Sequence, residues 1–348
     1  MPQGFSENEI KRIGKTHQES TSEKDVTARL FQHLLQNLRN NGAIQPKKGQ
    51  ATVLDIGSGN GKVLEKYLSN TPDLNFDVTM IDKNHDWIFH ANSGALKRLE
   101  SSSQVNITKT QGRALDVFNS RVEEVFEKDE FNLVIASHVL YHAGSDNPTS
   151  AYLNQSKLIS GVAEGLLSPN NSVGLFIHAD SDAPSTGDWQ NLRKDYAYQW
   201  PDKLCDRVNE NVEEICKDKD IVCFQIPFES HLFFSRHLMS ELENAPENLK
   251  EIFYRPYEEN NLPLELKEDL DKISLLLGCT LNFYSDEMGE EKYQNFIENT
   301  FDLLQKNGGY LTRAHTLKVV LPQRDLDMNF VREAQDAVCK TRRDMDKI

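Results

Sequence analysis

Residues 51–68, ATVLDIGSGNGKVLEKYL, narrow the folds open to this chain more than any other stretch. An almost unbroken run of β-branched and aliphatic residues ends at Ile56. Gly57, Gly59 and Gly61 follow at alternate positions, and a helical pattern begins at Lys62. A continuous apolar strand is one buried on both faces, and intervening helices are what cover those faces. The alternation then recurs. FDVTMID (76–82), VNITKTQG (105–112), FNLVIAS (131–137) and SVGLFIHAD (172–180) read as strands. Residues 62–70, 86–100 and 151–167 read as helices, the last ended by Ser168-Pro169. With right-handed crossovers this is an α/β fold, a doubly wound and mostly parallel sheet.

Ahead of the first strand, residues 25–40 place apolar side chains at 26, 30, 31, 34, 35 and 38. That is helix spacing, and Asn41-Gly42 ends it. After Asp180 the pattern changes. Trp189, Tyr196, Tyr198 and Trp200 dot a polar stretch, and 203–217 looks helical. IVCFQIPFESHLFF (221–234) contains a strand that Pro227 assigns to an edge or a bend. Helices are expected near 236–246, 264–277 and 290–306, and AHTLKVVLP (314–322) completes a seven-stranded sheet. The expected organisation is an arm and helix over 1–40 that closes as a lid, a main domain over 41–325, and a charged amphipathic C-terminal helix within 326–348. Within the main domain a helical insertion at about 236–310 forms a substrate cap.

Charge and cysteine usage exclude some function classes. The chain has 39 Lys and Arg against 54 Asp and Glu, a net charge of −15, with no basic stripe to neutralise phosphates. Nucleic acid is therefore not an expected partner. No apolar run approaches the ~20 residues that span a bilayer, so no membrane partner is expected either. The N-terminal MPQGFSENEIKR lacks the apolar core of a signal peptide. Cysteines at 205, 216, 223, 279 and 339 form no CxxC pair, which suits reduced thiols and a cytoplasmic location.

In open α/β sheets ligands bind beyond the carboxyl ends of the strands, where strand order reverses. The first strand ends in Asp55, Gly57 and Gly59. Glycine lets backbone approach a ligand, but an acid ahead of the glycines is awkward for a pyrophosphate and suits a ligand with a cationic end. Asp82, at the end of the second strand, is placed to accept both hydroxyls of a ribose. It points to adenosine without choosing between S-adenosylmethionine and a nicotinamide dinucleotide. In GRALD (112–116), Ala114 or Leu115 would flank the adenine. Past the fourth strand, His138 and His142 titrate near neutrality and are candidate bases, or else simply hydrogen-bond a tight loop. His178, Asp180 and Asp182 are metal-type donors. They do not match the carboxylate and amide set of metal-dependent methyl transfer, and no metal is expected. Glu23, in the first turn of the first helix, complements the helix dipole without any ligand.

These residues together resemble the class I S-adenosylmethionine-dependent methyltransferases. LDIGSGNGK matches the first motif of that family, MID (80–82) the acidic second, and LVIASHVLYHA (133–143) the fourth strand and its loop. A narrower resemblance, to the histamine N-methyltransferase family, lies in TSEKD (21–25), GDWQNLRKDYAYQWPDKLC (187–205) and AHTLKVVLP. By these resemblances Asp55, Gly57, Gly59, Asp82, Trp87, Leu115 and Ser137 bind the cofactor, S-adenosylmethionine. Glu23, His138, Tyr141, His142, Trp189 and His315 line the substrate pocket, with Glu23 and His138 as the catalytic candidates. Arg193 stands where the narrower family has a second pocket tryptophan, which would suit a carboxylate or phosphate on the acceptor. His138 replaces a glutamine and His315 an asparagine. The implied activity is methyl transfer to a small molecule, at a nitrogen of an amine or imidazole compound. The alternatives are O-methylation with a histidine base, and a non-catalytic adenosine-binding or partner-binding protein of the same fold.

Overall fold

The computed structural model describes residues 12, 15–16, 19–69, 71, 74–82, 94–109, 125–127, 130–137, 139, 148–167, 171–179, 187–196, 208–218, 221–254, 262–277 and 289–321. In chain order the elements are α1 (Glu23–Asn40), β1 (Gln50–Ile56), α2 (Lys62–Leu68), β2 (Asn75–Ile81), α3 (Gly94–Ser101), β3 (Val105–Lys109), β4 (Leu133–Ser137) and α4 (Pro148–Ser160), whose last turn widens into a π-turn (Gly161–Leu166). Then come β5 (Val173–Ala179), α5 (Asp188–Tyr196), α6 (Val208–Asp218), β6 (Val222–Phe233), α7 (Arg236–Asn244), α8 (Pro246–Tyr254), α9 (Leu264–Leu277), α10 (Glu290–Asn307) and β7 (Tyr310–Leu321). The chain divides into two compact units. The first comprises Met1–Glu23, Ser181–Asp202 and Glu229–Ala314; the second comprises Lys24–Asp180, Lys203–Phe228 and His315–Ile348.

The seven strands form one sheet in the order β3-β2-β1-β4-β5-β7-β6. β1 pairs in parallel with β2, Val53 opposite Val78, and with β4, Val53 opposite Leu133. β5 and β7 are antiparallel, with Ala179 opposite His315. Strand order reverses between β1 and β4, so the switch point falls at the end of the strand that carries Asp55. Pro227 sits in β6, the edge strand of the described sheet, where proline is tolerated.

Two apolar layers of the second unit cover this sheet. One is built on Leu30, Phe31, Leu34, Leu35 and Leu38 of α1 together with Val53, Val78 and Ile135. Phe31 stacks on Tyr67 with ring centres 4.9 Å apart. The other packs Ile159, Val162 and Leu166 against Leu54, Val134 and Phe176. Each such side chain, removed from water, contributes about 1.5–3 kcal/mol before the entropy of ordering it is counted. Asn132 ties three strands at their starts. Its Oδ1 accepts from the Thr52 N–H at 3.0 Å, its Nδ2 donates to the Asn171 carbonyl at 3.1 Å, and its carbonyl accepts from the Val173 N–H at 2.9 Å.

The first unit has a helical core of its own, with Leu238, Leu249, Phe253, Ile273, Phe296 and Leu304 fully buried or nearly so. Two of the chain's helices depart from the sequence expectation. α5 falls in the stretch read as irregular, yet Trp189, Leu192 and Tyr196 recur at helical spacing and meet that core. α8 begins at Pro246, which reads as a terminator in sequence; at the first position of a helix its missing N–H costs nothing. The expected strand beyond 109, the first half of the 86–100 helix and the C-terminal helix lie outside the described residues.

Candidate functional site

The turn from β1 to α2 is closed by the end of β2. The N–H of Gly57 donates to the Ile81 carbonyl at 2.7 Å and that of Ser58 to the same oxygen at 3.1 Å. The N–H of Gly59 donates to Asp82 Oδ2 at 2.8 Å. Gly61 N–H donates to the Ser58 carbonyl at 3.1 Å, and Lys62 N–H to Asn60 Oδ1 at 3.3 Å. Ser58 Oγ completes the closure by donating to the Asp55 carbonyl at 2.9 Å. These amides already have protein acceptors. A loop that cradles a pyrophosphate must instead present them to the ligand.

The glycines have reasons of their own. Gly57 and Gly61 hold φ near +77° and +75°, a left-handed backbone that side chains disfavour. A Cβ on Gly57 would come within 2.4 Å of Val139, and one on Gly61 within 2.8 Å of Leu96. At these two positions the protein's own packing already requires glycine.

Asp55 and Asp82 lie at the ends of adjacent parallel strands, 6% and 8% exposed. Burial, and then the charge of Asp82, push the Asp55 carboxyl up to about 7. Two carboxyls this close and this dry favour a cationic or hydroxyl-rich neighbour. S-adenosylmethionine has an ammonium, a sulfonium and a ribose diol, and carries no phosphate. The acid pair and the satisfied amides both fit it, with Asp55 and Asp82 as the groups that would hold it. Ser137, half-buried at the end of β4, is the other described residue expected at the cofactor. Trp87 and Leu115 lie outside the described residues.

The acceptor-side candidates fall into separate places. In the first unit, Glu23 and Trp189 are brought together by a residue that sequence reasoning missed, Arg313. Its Nη1 donates to Glu23 Oε2 at 3.3 Å, and its guanidinium lies 5.0 Å from the centre of the Trp189 ring. Glu23 and Arg313 side chains are 12% and 17% exposed, and Trp189 is buried. The one sequence signal is position, since Arg313 shares a strand face with His315, two residues on.

Trp189 is held there by α5. Asp188 Oδ2 accepts from the Thr312 N–H at 3.0 Å, and the Asp188 N–H donates to Thr312 Oγ1 at 2.9 Å. The Gln190 amide pairs with Ala314 both ways, accepting from its N–H at 3.0 Å and donating to its carbonyl at 2.8 Å. A Cβ on Gly187 would meet the Ala314 nitrogen at 3.0 Å, so the helix can dock this closely only behind a glycine. Arg193 belongs to the same helix; its side chain lies outside the described set. In the second unit His315 is completely buried and stacks on Phe228, ring centres 4.9 Å apart and planes 11° from parallel. His178 is buried at the end of β5. His138, Tyr141, His142, Asp180 and Asp182 lie outside the described residues. No helix among the described residues is long and apolar enough to cross a membrane.

No curated protein sequence matches the chain. Among solved structures, a phosphoethanolamine N-methyltransferase of Haemonchus contortus, in complex with phosphomonomethylethanolamine and S-adenosylhomocysteine, is 16% identical with a TM-score of 0.34, over 83% of this chain and 52% of its own. The present chain thus spans about half the length of that relative. A geranyl diphosphate methyltransferase is 10% identical with a TM-score of 0.34, over 83% and 85% of the two chains. An O-methyltransferase family protein of Burkholderia thailandensis is 14% identical with a TM-score of 0.32, over 50% and 47%. The sequence profile described as "Methyltransferase domain" matches residues 23–218, more than half of the chain. A Rossmann-like sheet with its switch point at Asp55, a glycine turn closed on itself and this profile match make the protein a member of the methyltransferase-domain family, whose methyl donor is S-adenosylmethionine.

Proposed function

We propose that this methyltransferase acts on a small molecule and methylates a nitrogen of an amine or imidazole compound. The observation that carries the reading is the carboxyl pair of Asp55 and Asp82 behind a turn whose amides are taken, an arrangement for a cationic adenosine ligand. When bound, S-adenosylmethionine supplies an electrophilic methyl group on a sulfonium. Asp82 accepts the ribose hydroxyls while keeping the Gly59 N–H, and Asp55 takes the ammonium. On the acceptor side, Glu23 receives an N–H of the amine or imidazole, and Trp189, whose ring carries the Arg313 guanidinium, walls the pocket. Arg193 takes an anionic group of the acceptor. A neutral amine or imidazole attacks without prior loss of a proton, so a modest base suffices; a phenol or alcohol asks for a stronger one. The narrower resemblance to the histamine N-methyltransferase family supports nitrogen as the acceptor atom.

The test has two arms. Calorimetry measures binding of S-adenosylmethionine and S-adenosylhomocysteine. A screen with methyl-labelled cofactor presents pooled amines, imidazoles, phenols and carboxylic acids. Binding of both cofactor forms and label in an amine or imidazole are expected, with turnover lost and cofactor binding kept in Glu23→Gln and His138→Ala. Label confined to phenols or alcohols would move the reaction to oxygen. Failure of both cofactor forms to bind would leave the fold without the activity.

A further inference from the structure

Two of the five cysteines, Cys216 and Cys223, line one hollow of the second unit, and neither was assigned a role above. α6 ends at Asp218, and the Ile221 N–H donates back to the Cys216 carbonyl at 2.8 Å. That turn brings Cys216, in the last turn of α6, beside Cys223, the second residue of β6. The two thiols lie within hydrogen-bonding reach of each other. Both are free cysteines. Their burial differs: Cys216 is 1% exposed, whereas Cys223 is only half-buried. Both line a surface hollow of about 390 Å³, shared with Glu213, Lys217 and Gln225. Among the described residues β6 is the edge strand, and no further strand pairs with it on this side.

A buried cation completes the arrangement. Lys318 of β7, its side chain 2% exposed, pairs with Glu213 and donates to Gln225 Oε1 at 2.7 Å. The hydrogen bond between the thiols and then the Lys318 charge draw the Cys223 thiol down, while burial and the Glu213 charge oppose them. That same hydrogen bond and burial push Cys216 well up. Of the two, the half-buried Cys223 is both the sulfur reachable from the hollow and the one drawn toward its thiolate. The thiolate is the nucleophile in exchange reactions.

We propose that Cys216 and Cys223 form a redox-active dithiol, a modification site that reacts with small-molecule disulfides at the hollow beside Lys318. The Cys223 thiolate attacks one sulfur of a disulfide R–S–S–R. The S–S bond breaks, a mixed disulfide forms on Cys223, and R–S⁻ leaves. Cys216 then attacks the Cys223 sulfur of the mixed disulfide, losing its proton to solvent, and displaces the second R–S⁻. The protein gives up two electrons and the disulfide takes them. The net change is two protein thiols and R–S–S–R to one protein disulfide and two R–SH. The product covalently ties the end of α6 to the start of β6.

The test uses the full chain with Cys205, Cys279 and Cys339 replaced by serine, oxidised glutathione as the probe, and peptide mass spectrometry as the readout. The circular dichroism melt of each variant is recorded first. A Cys216–Cys223 cross-link is expected in the folded protein. Cys216→Ser should stop at a stable glutathione adduct on Cys223. In Cys223→Ser the Cys216 thiol should stay unmodified until the chain is denatured. A second measurement uses phenylarsine oxide, which bridges paired thiols: one equivalent should protect both cysteines from glutathione. Finding both thiols reduced after oxidation, or glutathione held on Cys223 with Cys216 intact and unreacted, would overturn the proposal. So would equal reactivity of Cys216 and Cys223 in the native state.

Discussion

Gly59 donates its backbone N–H to Asp82 Oδ2 at 2.8 Å, so the acid that ends β2 holds the glycine turn that follows β1. One carboxylate both shapes the turn and is assigned to the ribose. The two roles separate by substitution. Asp82→Ala removes the acceptor of a half-buried N–H and should cost about 1 kcal/mol of stability as well as cofactor affinity. Asp82→Asn keeps an oxygen for Gly59. Its melting temperature should stay near that of the wild type while affinity for S-adenosylhomocysteine falls by roughly tenfold or more, the effect of losing one charge-assisted hydrogen bond. Calorimetry and thermal melts on the two variants check this.

Asp55 makes the stability of the cofactor-free protein depend on pH. Its carboxyl titrates at about 7 in the folded chain, against about 3.9 in an unfolded one. Between those values the folded state holds a proton that the unfolded state has lost. Stability is therefore fully present at the low end and declines as pH rises through 7, the reverse of an ion-paired carboxylate. Asp55→Asn should flatten this slope, so that the variant gains on the wild type above pH 7 and not near pH 4. Melting temperatures across that range decide it.

Arg313 neutralises a carboxylate that is nearly dry. Removing either partner breaks this pair, and removing both takes away the two charges together. A double-mutant cycle with Glu23→Gln and Arg313→Met should give a coupling of about 1–3 kcal/mol. Trp189 fluorescence should shift in both Arg313→Met and the double variant, because the guanidinium over its ring is gone.

The helical unit rests on a buried ion pair of its own. Asp269, wholly buried, accepts from Lys272 Nζ at 2.7 Å and from the Ser235 N–H at 3.2 Å, while Ser235 Oγ in turn caps α7 by accepting from the Leu238 N–H at 3.0 Å. Asp269→Ala strands the Lys272 ammonium, which is 6% exposed at its side chain. A loss of about 3–5 kcal/mol is expected in denaturant melts. Pairing it with Lys272→Met should restore part of that loss.

Much of the architecture was legible locally. Continuous runs such as 51–56 and 173–179 could only be strands covered on both faces, and Pro227 marked the edge strand. α5 was hidden because, among its described side chains, the apolar Trp189, Leu192 and Tyr196 that meet the core are scattered in a sequence of Asp, Gln, Asn, Arg and Lys. α8 was hidden because a proline looks the same whether it ends a helix or starts one. The glycine turn was read as making room for a ligand. The structure adds two close approaches by protein side chains, Val139 at Gly57 and Leu96 at Gly61.

What the sequence determined by itself is the order of the strands, the class of sheet and the family, because hydrophobic period and turn chemistry are local properties. The partners of the functional groups were decided by tertiary structure alone. Gly59 meets Asp82 across 23 residues, Gln190 meets Ala314 across 124, and Arg313 meets Glu23 across 290. No local pattern records such pairings. They exist because strand order and helix docking bring those groups into a low-dielectric interior, where a polar group left without a partner costs more than the fold can spare.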